Sequence, residues 1–196
     1  IPGRACGLME EALNAPVLFL MSAAGDQIPK KQAWYDEVLA DGTVRTVDLG
    51  VDKGLLMVEE LGNIMAQAAL KVVHPMECST EISRMEILKT TINWPAKERM
   101  NMHPRKAAEF VADGRMAAVP VGLLILGPIA FVATKPEVNC ITELELKQLS
   151  PFKYTFLVTM VNGGMKYMPD RQSYDHVTWE AMASMLMPGA AEAFVQ

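Results

Sequence analysis

Apolar and polar positions divide the chain into short, alternating helices and strands. From Cys6 to Asn14, Leu8, Met9, Ala12 and Leu13 share one helical face with Glu10 and Glu11 opposite, which predicts a short amphipathic helix. After Pro16 the run Val17-Leu18-Phe19-Leu20-Met21 has the length and composition of a strand, and it ends in Ser22-Ala23-Ala24-Gly25-Asp26-Gln27-Ile28-Pro29. Lys30 to Gly50 is polar and reads as irregular chain with a turn at Asp41-Gly42. Val51 to Val73 carries Leu55, Val58, Leu61, Ile64, Met65, Ala68, Ala69 and Val72 at helical spacing, with Asp52 as its cap and Pro75 as its stop.

The second half alternates more quickly. Ser79 to Trp94 alternates loosely around Ile82, Met85 and Ile87, which predicts a partly exposed edge strand closed by Pro95. Pro104 to Asp113 predicts a short helix stopped by Gly114, and Arg115 to Ile125 a strand. Gly127-Pro128 turns the chain into a further strand, Ile129 to Ala133, as an antiparallel hairpin. A helix over Asn139 to Leu149 then separates that strand from Tyr154 to Val161, so these two strands should be parallel neighbours. His176 to Leu186 predicts a last helix, and Pro188-Gly189 precedes a short helical tail. The expected fold class is α/β: a mixed, partly parallel sheet with helices packed against it. No repeat, low-complexity stretch or linker divides residues 1–196, which read as one domain segment.

Composition narrows the function classes. Apolar residues make up 51% of the 196 residues, enough for a buried core and against disorder. The net charge of −5, with no basic cluster or RNA-binding motif, argues against nucleic acid as a partner. The 15 methionines are scattered and read as adaptable core filler. Cys6, Cys78 and Cys140 are odd in number and widely spaced, without a C-x-x-C, so reduced thiols are expected and the compartment leans cytoplasmic. The longest apolar run, Val119 to Val132, is interrupted by Pro120, Gly122, Gly127 and Pro128 and falls short of a membrane span. The chain begins with Ile1-Pro2 rather than methionine, which leaves a preceding segment or signal open.

Candidate chemistry gathers at three strand ends. They carry Asp26, Glu137 and Tyr167, the last within Val161-Asn162-Gly163-Gly164-Met165-Lys166-Tyr167-Met168-Pro169. Loops at strand ends of open α/β sheets are where ligands bind, and a carboxylate pinned there can ligate a metal or act as a base. Each also has a plainer reading: Glu137 as an exposed loop glutamate, Asp26 as a turn aspartate bonding its own backbone, and the glycine loop as a bare connection. His74 and His103 precede prolines and His176 begins a predicted helix, in no metal-binding spacing. No G-x-S-x-G, Walker loop or dinucleotide fingerprint occurs.

Three segments together resemble the neutral/alkaline (non-lysosomal) ceramidase family, specifically the later part of its N-terminal catalytic domain. Ala15 to Leu20 through Ala24 to Pro29 looks like the family's strand and G-D-V-S-P-N loop. Gly127 to Val132 through Pro136-Glu137 is similar to its strand ending in a P-G-E-like turn. Asn162 to Tyr167 through Pro188-Gly189 resembles its N-G-x-x-x-Y loop, the following helix and a P-G stretch.

The resemblance implies that Glu137 and Tyr167 are zinc ligands, completed by two histidines outside this chain, from a missing N-terminal part or another chain. It places the family's serine nucleophile at Ile28, which has no nucleophilic atom, with Ser22 six residues earlier no obvious substitute. A second catalytic tyrosine of the family falls on Trp179, which donates a hydrogen bond but transfers no proton. The implied activity is therefore zinc-dependent hydrolysis of an amide-type bond, in a small-molecule or lipid-like substrate, by a metal-activated water. Asp26 or Glu137 would orient that water. The alternative is a non-catalytic homologue serving as a binding or assembly subunit, for which a stable oligomer, a homo-oligomer included, is expected.

Overall fold

The computed structural model describes residues 1–77, 82–100 and 109–196. Cys78, His103 and the first half of the expected helix from Pro104 lie outside the described residues. The chain forms two compact units.

One unit holds helix α1 (Pro2–Leu13), strands β1 (Trp34–Val38) and β2 (Val44–Asp48), and helix α2 (Gly50–Val73). The two helices meet through small residues: Ala5, Gly62 and Ala66 are buried. A Cβ at Gly62 would lie 2.6 Å from the Arg4 Cγ, so only glycine permits this approach. The segment expected to be irregular instead contains the antiparallel hairpin β1–β2, with Trp34 opposite Asp48. Its polar residues hid alternating aromatic and β-branched positions, and the turn falls at Asp41-Gly42 as expected, with Gly42 at φ 80°. Asp52 is not the cap of α2; it lies in the first turn, and the Asp48 side chain accepts from the Gly50 amide at 2.8 Å.

The other unit holds a four-stranded sheet in the order β3 (Met85–Lys97), β4 (Ala112–Leu126), β5 (Ile129–Thr134) and β7 (Tyr154–Val158). The β3–β4 and β4–β5 pairs are antiparallel and the β5–β7 pair is parallel, the mixed sheet the pattern predicts. Gly127, at φ 56°, makes the β4–β5 turn, and its amide donates to the Arg84 carbonyl at 2.8 Å. Between β5 and β7 run β6 (Glu137–Val138) and helix α3 (Cys140–Leu149). After β7 come β8 (Tyr167–Met168) and helices α4 (Arg171–Asp175), α5 (Trp179–Ala183) and α6 (Ala190–Val195). The core gathers Val119, Val138, Leu157, Met168, Leu186, Ala190, Ala191 and Phe194.

Four further expectations are corrected. Val17 to Met21 is not a strand: Leu18 is 88% exposed, so the apolar run has no buried face to hold it in a sheet. It is tied in at its two ends, where the Val17 amide donates to the Glu10 carboxylate at 3.1 Å and the Met21 carbonyl accepts from the Thr159 amide at 2.9 Å. Strand β3 continues past Pro95 to Lys97 through an irregularity in register. Ala112 and Asp113, assigned to a helix, begin β4. The predicted helix over His176 to Leu186 is reduced to α5, capped by Thr178, and α4, capped by Asp170, ends just before that range begins. His176 is the C-cap of α4 rather than a helix start, and Val177 follows at φ 50°.

Candidate functional site

Short strands β6 and β8 pair in parallel, and their register sets Glu137 directly opposite Tyr167. Cross-strand partners project to the same face, so the carboxylate and the phenol are neighbours. The pairing depends on a tightly wound loop. Met160, Asn162, Gly163 and Lys166 all have positive φ, and the Lys166 carbonyl accepts from the Glu137 amide at 2.7 Å. On the other side, Ser184 Oγ donates to the Tyr167 carbonyl at 2.8 Å and accepts from the Leu186 amide at 3.0 Å. Buried Tyr174 completes this support, its hydroxyl 2.7 Å from the Leu186 carbonyl; burial pushes its pKa up to about 12.

Electrostatics bind the pair further. Burial raises the Glu137 carboxyl above its ordinary value. Burial also raises the Tyr167 phenol, helped by the negative charges of Glu137 and Glu180. The Trp179 side chain opposes that shift by hydrogen bonding to Tyr167; an indole can only donate, so its N–H points at the phenol oxygen. The structure thus brings Glu137, Tyr167 and Trp179 to one place.

Asp26 has a different position from the turn aspartate of the plainer reading. Its Oδ1 accepts from the Cys140 amide at 2.9 Å, capping the first turn of α3 from a distant segment. Gly25 makes this possible: its amide donates to the Val138 carbonyl at 2.9 Å, and a Cβ there would stand 3.0 Å from the Asn139 side chain and 3.1 Å from Val138 backbone. Ser22, in the same segment, donates to Glu143 at 2.7 Å. Ile28 is 77% exposed. His74 caps the C-terminus of α2, its amide bonded to the Leu70 carbonyl at 3.0 Å.

Several residues of the site carry no signal in the sequence pattern. Glu143 is buried in α3 and collects Ser22 Oγ, the Ala23 amide at 3.2 Å and Lys147 at 2.7 Å. Burial raises its pKa, but those partners outweigh it and hold the carboxyl below the ordinary range. Asn139 Nδ2 donates to Asp170 at 3.0 Å and to Ser173 at 2.9 Å, joining the start of α3 to the start of α4. A polar residue just before each helix was the available clue to Asn139 and Asp170. Lys97 offered none, since Pro95 seemed to end its strand.

Tyr167 and Trp179 also line a cleft of about 770 Å³. Lys97, Arg99, Arg115 and Lys166 supply its cations, Asp113 its carboxylate, and Ala96, Met100, Met182, Ala183 and Met185 apolar wall. No group of three His, Cys, Asp or Glu side chains lies together among the described residues.

No protein-family profile and no curated protein matches the sequence. Solved structures do match in fold. The neutral ceramidase from Pseudomonas aeruginosa aligns with a TM-score of 0.71 at 10% identity, over 100% of this chain and 39% of that chain. A ceramidase complexed with C2 aligns at 0.55 and 8% identity, over 70% of this chain and 32% of that chain. The chain has a ceramidase-like fold and spans about two fifths of the first of these structures.

Proposed function

We propose that this chain is part of a zinc-dependent hydrolase that cleaves an amide-type bond, as its ceramidase-like fold suggests. The observation that carries the reading is the register pairing of Glu137 with Tyr167. It sets two oxygen donors side by side, at the two positions that the sequence resemblance marks for zinc. Zinc sites normally take three or more protein ligands. Glu137 and Tyr167 therefore fit one edge of such a site, and the remaining donors would come from outside this chain. A bound zinc would supply a Lewis acid that polarises a carbonyl and lowers the pKa of water towards neutrality.

The chain's own residues supply placement. The Lys166 carbonyl and Ser184 hydroxyl fix the backbone on which Glu137 and Tyr167 sit. Trp179 holds the phenol oxygen with its N–H. The adjoining cleft, walled by methionine and alanine, accommodates an apolar or lipid-like substrate beside the pair. Asp26, with Oδ1 on the Cys140 amide, positions α3 and the strand end before it.

Elemental analysis of the full-length gene product tests the reading. About one zinc per chain is expected, falling with Glu137→Ala and with Tyr167→Phe together with amide hydrolysis. Unchanged metal content and unchanged hydrolysis in both variants would sink it. A non-catalytic homologue is the second reading. Ile28 favours it, since an exposed aliphatic side chain stands at the resembled serine position. That reading expects a folded, metal-free protein and a stable oligomer.

A further inference from the structure

The backbone of the loop before Tyr167 is anchored at two points. The Val161 amide donates to the Thr134 carbonyl at 3.0 Å, and the Lys166 carbonyl accepts from the Glu137 amide at 2.7 Å. Between these anchors lie Asn162 and Gly163, both exposed, with φ of 57° and 108°. Neither the Asn162 side chain nor the Gly163 amide has a hydrogen-bond partner among the described residues. No atom beyond the adjoining residues lies within 4 Å of where a Cβ would stand on Gly163 or Gly164, so nothing packed against these glycines opposes a rotation of the backbone.

Asn162 is the only asparagine of this chain followed by glycine. That pair carries a specific chemistry. A deprotonated Gly163 amide nitrogen attacks Cγ of Asn162, forms the N–Cγ bond of a five-membered succinimide and expels the side-chain nitrogen as ammonia. Water then opens the ring. Cleavage at Cγ gives aspartate; cleavage at the main-chain carbonyl gives isoaspartate, in which the backbone runs through Cγ. Glycine favours the attack because it has no Cβ to hinder its own nitrogen and its backbone turns freely. Asparagine is among the labile residues of proteins. Asp41-Gly42, in the β1–β2 turn, is a contrast. The Thr43 hydroxyl and amide hold the Asp41 carboxylate at 2.6 Å and 3.0 Å and lower its pKa, which keeps it ionised and a poor electrophile.

We propose that Asn162 is a site of spontaneous deamidation, and that its isoaspartate form loosens the hold of this loop on the Glu137–Tyr167 ladder. The other asparagines precede alanine, isoleucine, tryptophan, methionine or cysteine, whose side chains hinder the same attack. Isoaspartate adds one backbone carbon between the Val161 and Lys166 anchors, and either product adds a negative charge to the loop. A backbone so lengthened no longer matches the span it was wound to fit. The bond from the Glu137 amide to the Lys166 carbonyl is the anchor beside the ladder, so the misfit falls on the pairing of Glu137 with Tyr167. The modification stands on this geometry whether or not the pair holds zinc.

The full-length protein, kept folded in mildly alkaline buffer, tests this by anion-exchange chromatography and peptide mass spectrometry. A more acidic form is expected to accumulate, faster than in mildly acidic buffer, because the attacking nitrogen must lose its proton. Peptide masses should place the change at Asn162 before any other asparagine, with isoaspartate identified by its fragmentation. The rate should lie within about tenfold of that in a synthetic peptide spanning Thr159 to Met168, as for a segment of low local stability. In the isolated isoaspartate form the Glu137 amide should exchange its hydrogen at least about tenfold faster than in the parent. Asn162→Gly, which keeps a residue at ease with positive φ, is expected to lose the acidic form. Should that variant fail to fold, the parent protein still decides. An Asn162 that stays intact while the peptide converts, another asparagine that reacts first, or an acidic form that persists in folded Asn162→Gly would each overturn the site. Unchanged exchange at Glu137 in the isoaspartate form would overturn its effect on the ladder.

Discussion

Glu137 and Tyr167 face one another across a two-residue parallel ladder, and the indole of Trp179 reaches the phenol of that pair. Groups that orient a metal ligand are expected to matter almost as much as the ligand itself. Trp179→Phe keeps an aromatic surface but deletes the only N–H of the side chain. If Tyr167 holds the proposed zinc, the change should lower zinc affinity in the full-length protein by about tenfold, within the range usual for such orienting bonds. Competition with a chromophoric chelator measures this. An unchanged affinity would leave Trp179 as wall of the cleft and no more.

Asp26 should behave as a helix cap. Asp26→Ala removes the acceptor of the Cys140 amide and is expected to cost about 1 kcal/mol, while Asp26→Asn, which keeps an oxygen there, costs less. Urea denaturation of the three proteins gives the comparison. If Asp26→Ala is as stable as the parent but hydrolysis falls steeply, Asp26 acts on substrate rather than on α3.

Glu143 ties the Ser22–Ala23 segment to α3 by two bonds to one carboxylate, which also pairs with Lys147 within the helix. Because its folded pKa is lowered, its contribution is present above the ordinary value of 4.5 and is lost as pH falls through the lower folded value. Glu143→Gln should cost about 1.5–3 kcal/mol near neutral pH, the range for hydrogen bonds to a charged group that is then lost. The gap between the two proteins should narrow as the medium is acidified below pH 4.5. Thermal denaturation across that range checks both statements.

These residues also show why the sequence was readable in some places and opaque in others. The β4–β5 hairpin and the parallel β5–β7 pair follow from local signals, a Gly-Pro turn and a helix of crossover length, and both were legible. Glu137 and Tyr167 were legible as loop residues at strand ends, since a proline precedes one and a glycine pair the other. Their mutual register was not, because it depends on a loop with four positive-φ residues, three of them not glycine. The apolar run Val17 to Met21 misled for the converse reason: local β-propensity means little where no partner strand covers the segment. Lys97 and Glu143 were invisible because burial of a charge depends on partners far along the chain, which periodicity does not encode.

Gly189 illustrates such a long-range constraint. It sits at φ 100°, and a Cβ there would lie 2.9 Å from both the Trp94 ring and the Arg171 guanidinium. Trp94 cannot easily give way, since its Nε1 donates to the Met187 carbonyl at 2.9 Å. Gly189→Ala is therefore expected to destabilise by about 2 kcal/mol or more, combining backbone strain with overpacking. A melting temperature within a degree or so of the parent would show that the α5–α6 connection relaxes freely.

Lys97 provides the sharpest pH dependence. Its folded pKa of about 8 lies below the ordinary 10.5, because burial and then the charge of Lys166 disfavour the ammonium. Below about pH 8 the lysine is protonated in both states, and its burial as a cation weakens the fold. Between about 8 and 10.5 the unfolded chain holds the proton that the folded chain has released, so stability rises with pH. Lys97→Met has no proton to exchange. Across that window the parent should gain about 1–3 kcal/mol relative to the variant; the Met182 and Glu98 carbonyls lose their donor in Lys97→Met at every pH, which offsets the two curves without changing that gain. Urea unfolding of both proteins at several pH values measures it. Parallel curves would mean that Lys97 keeps an ordinary pKa, and that its cation is matched by a counter-charge in solution.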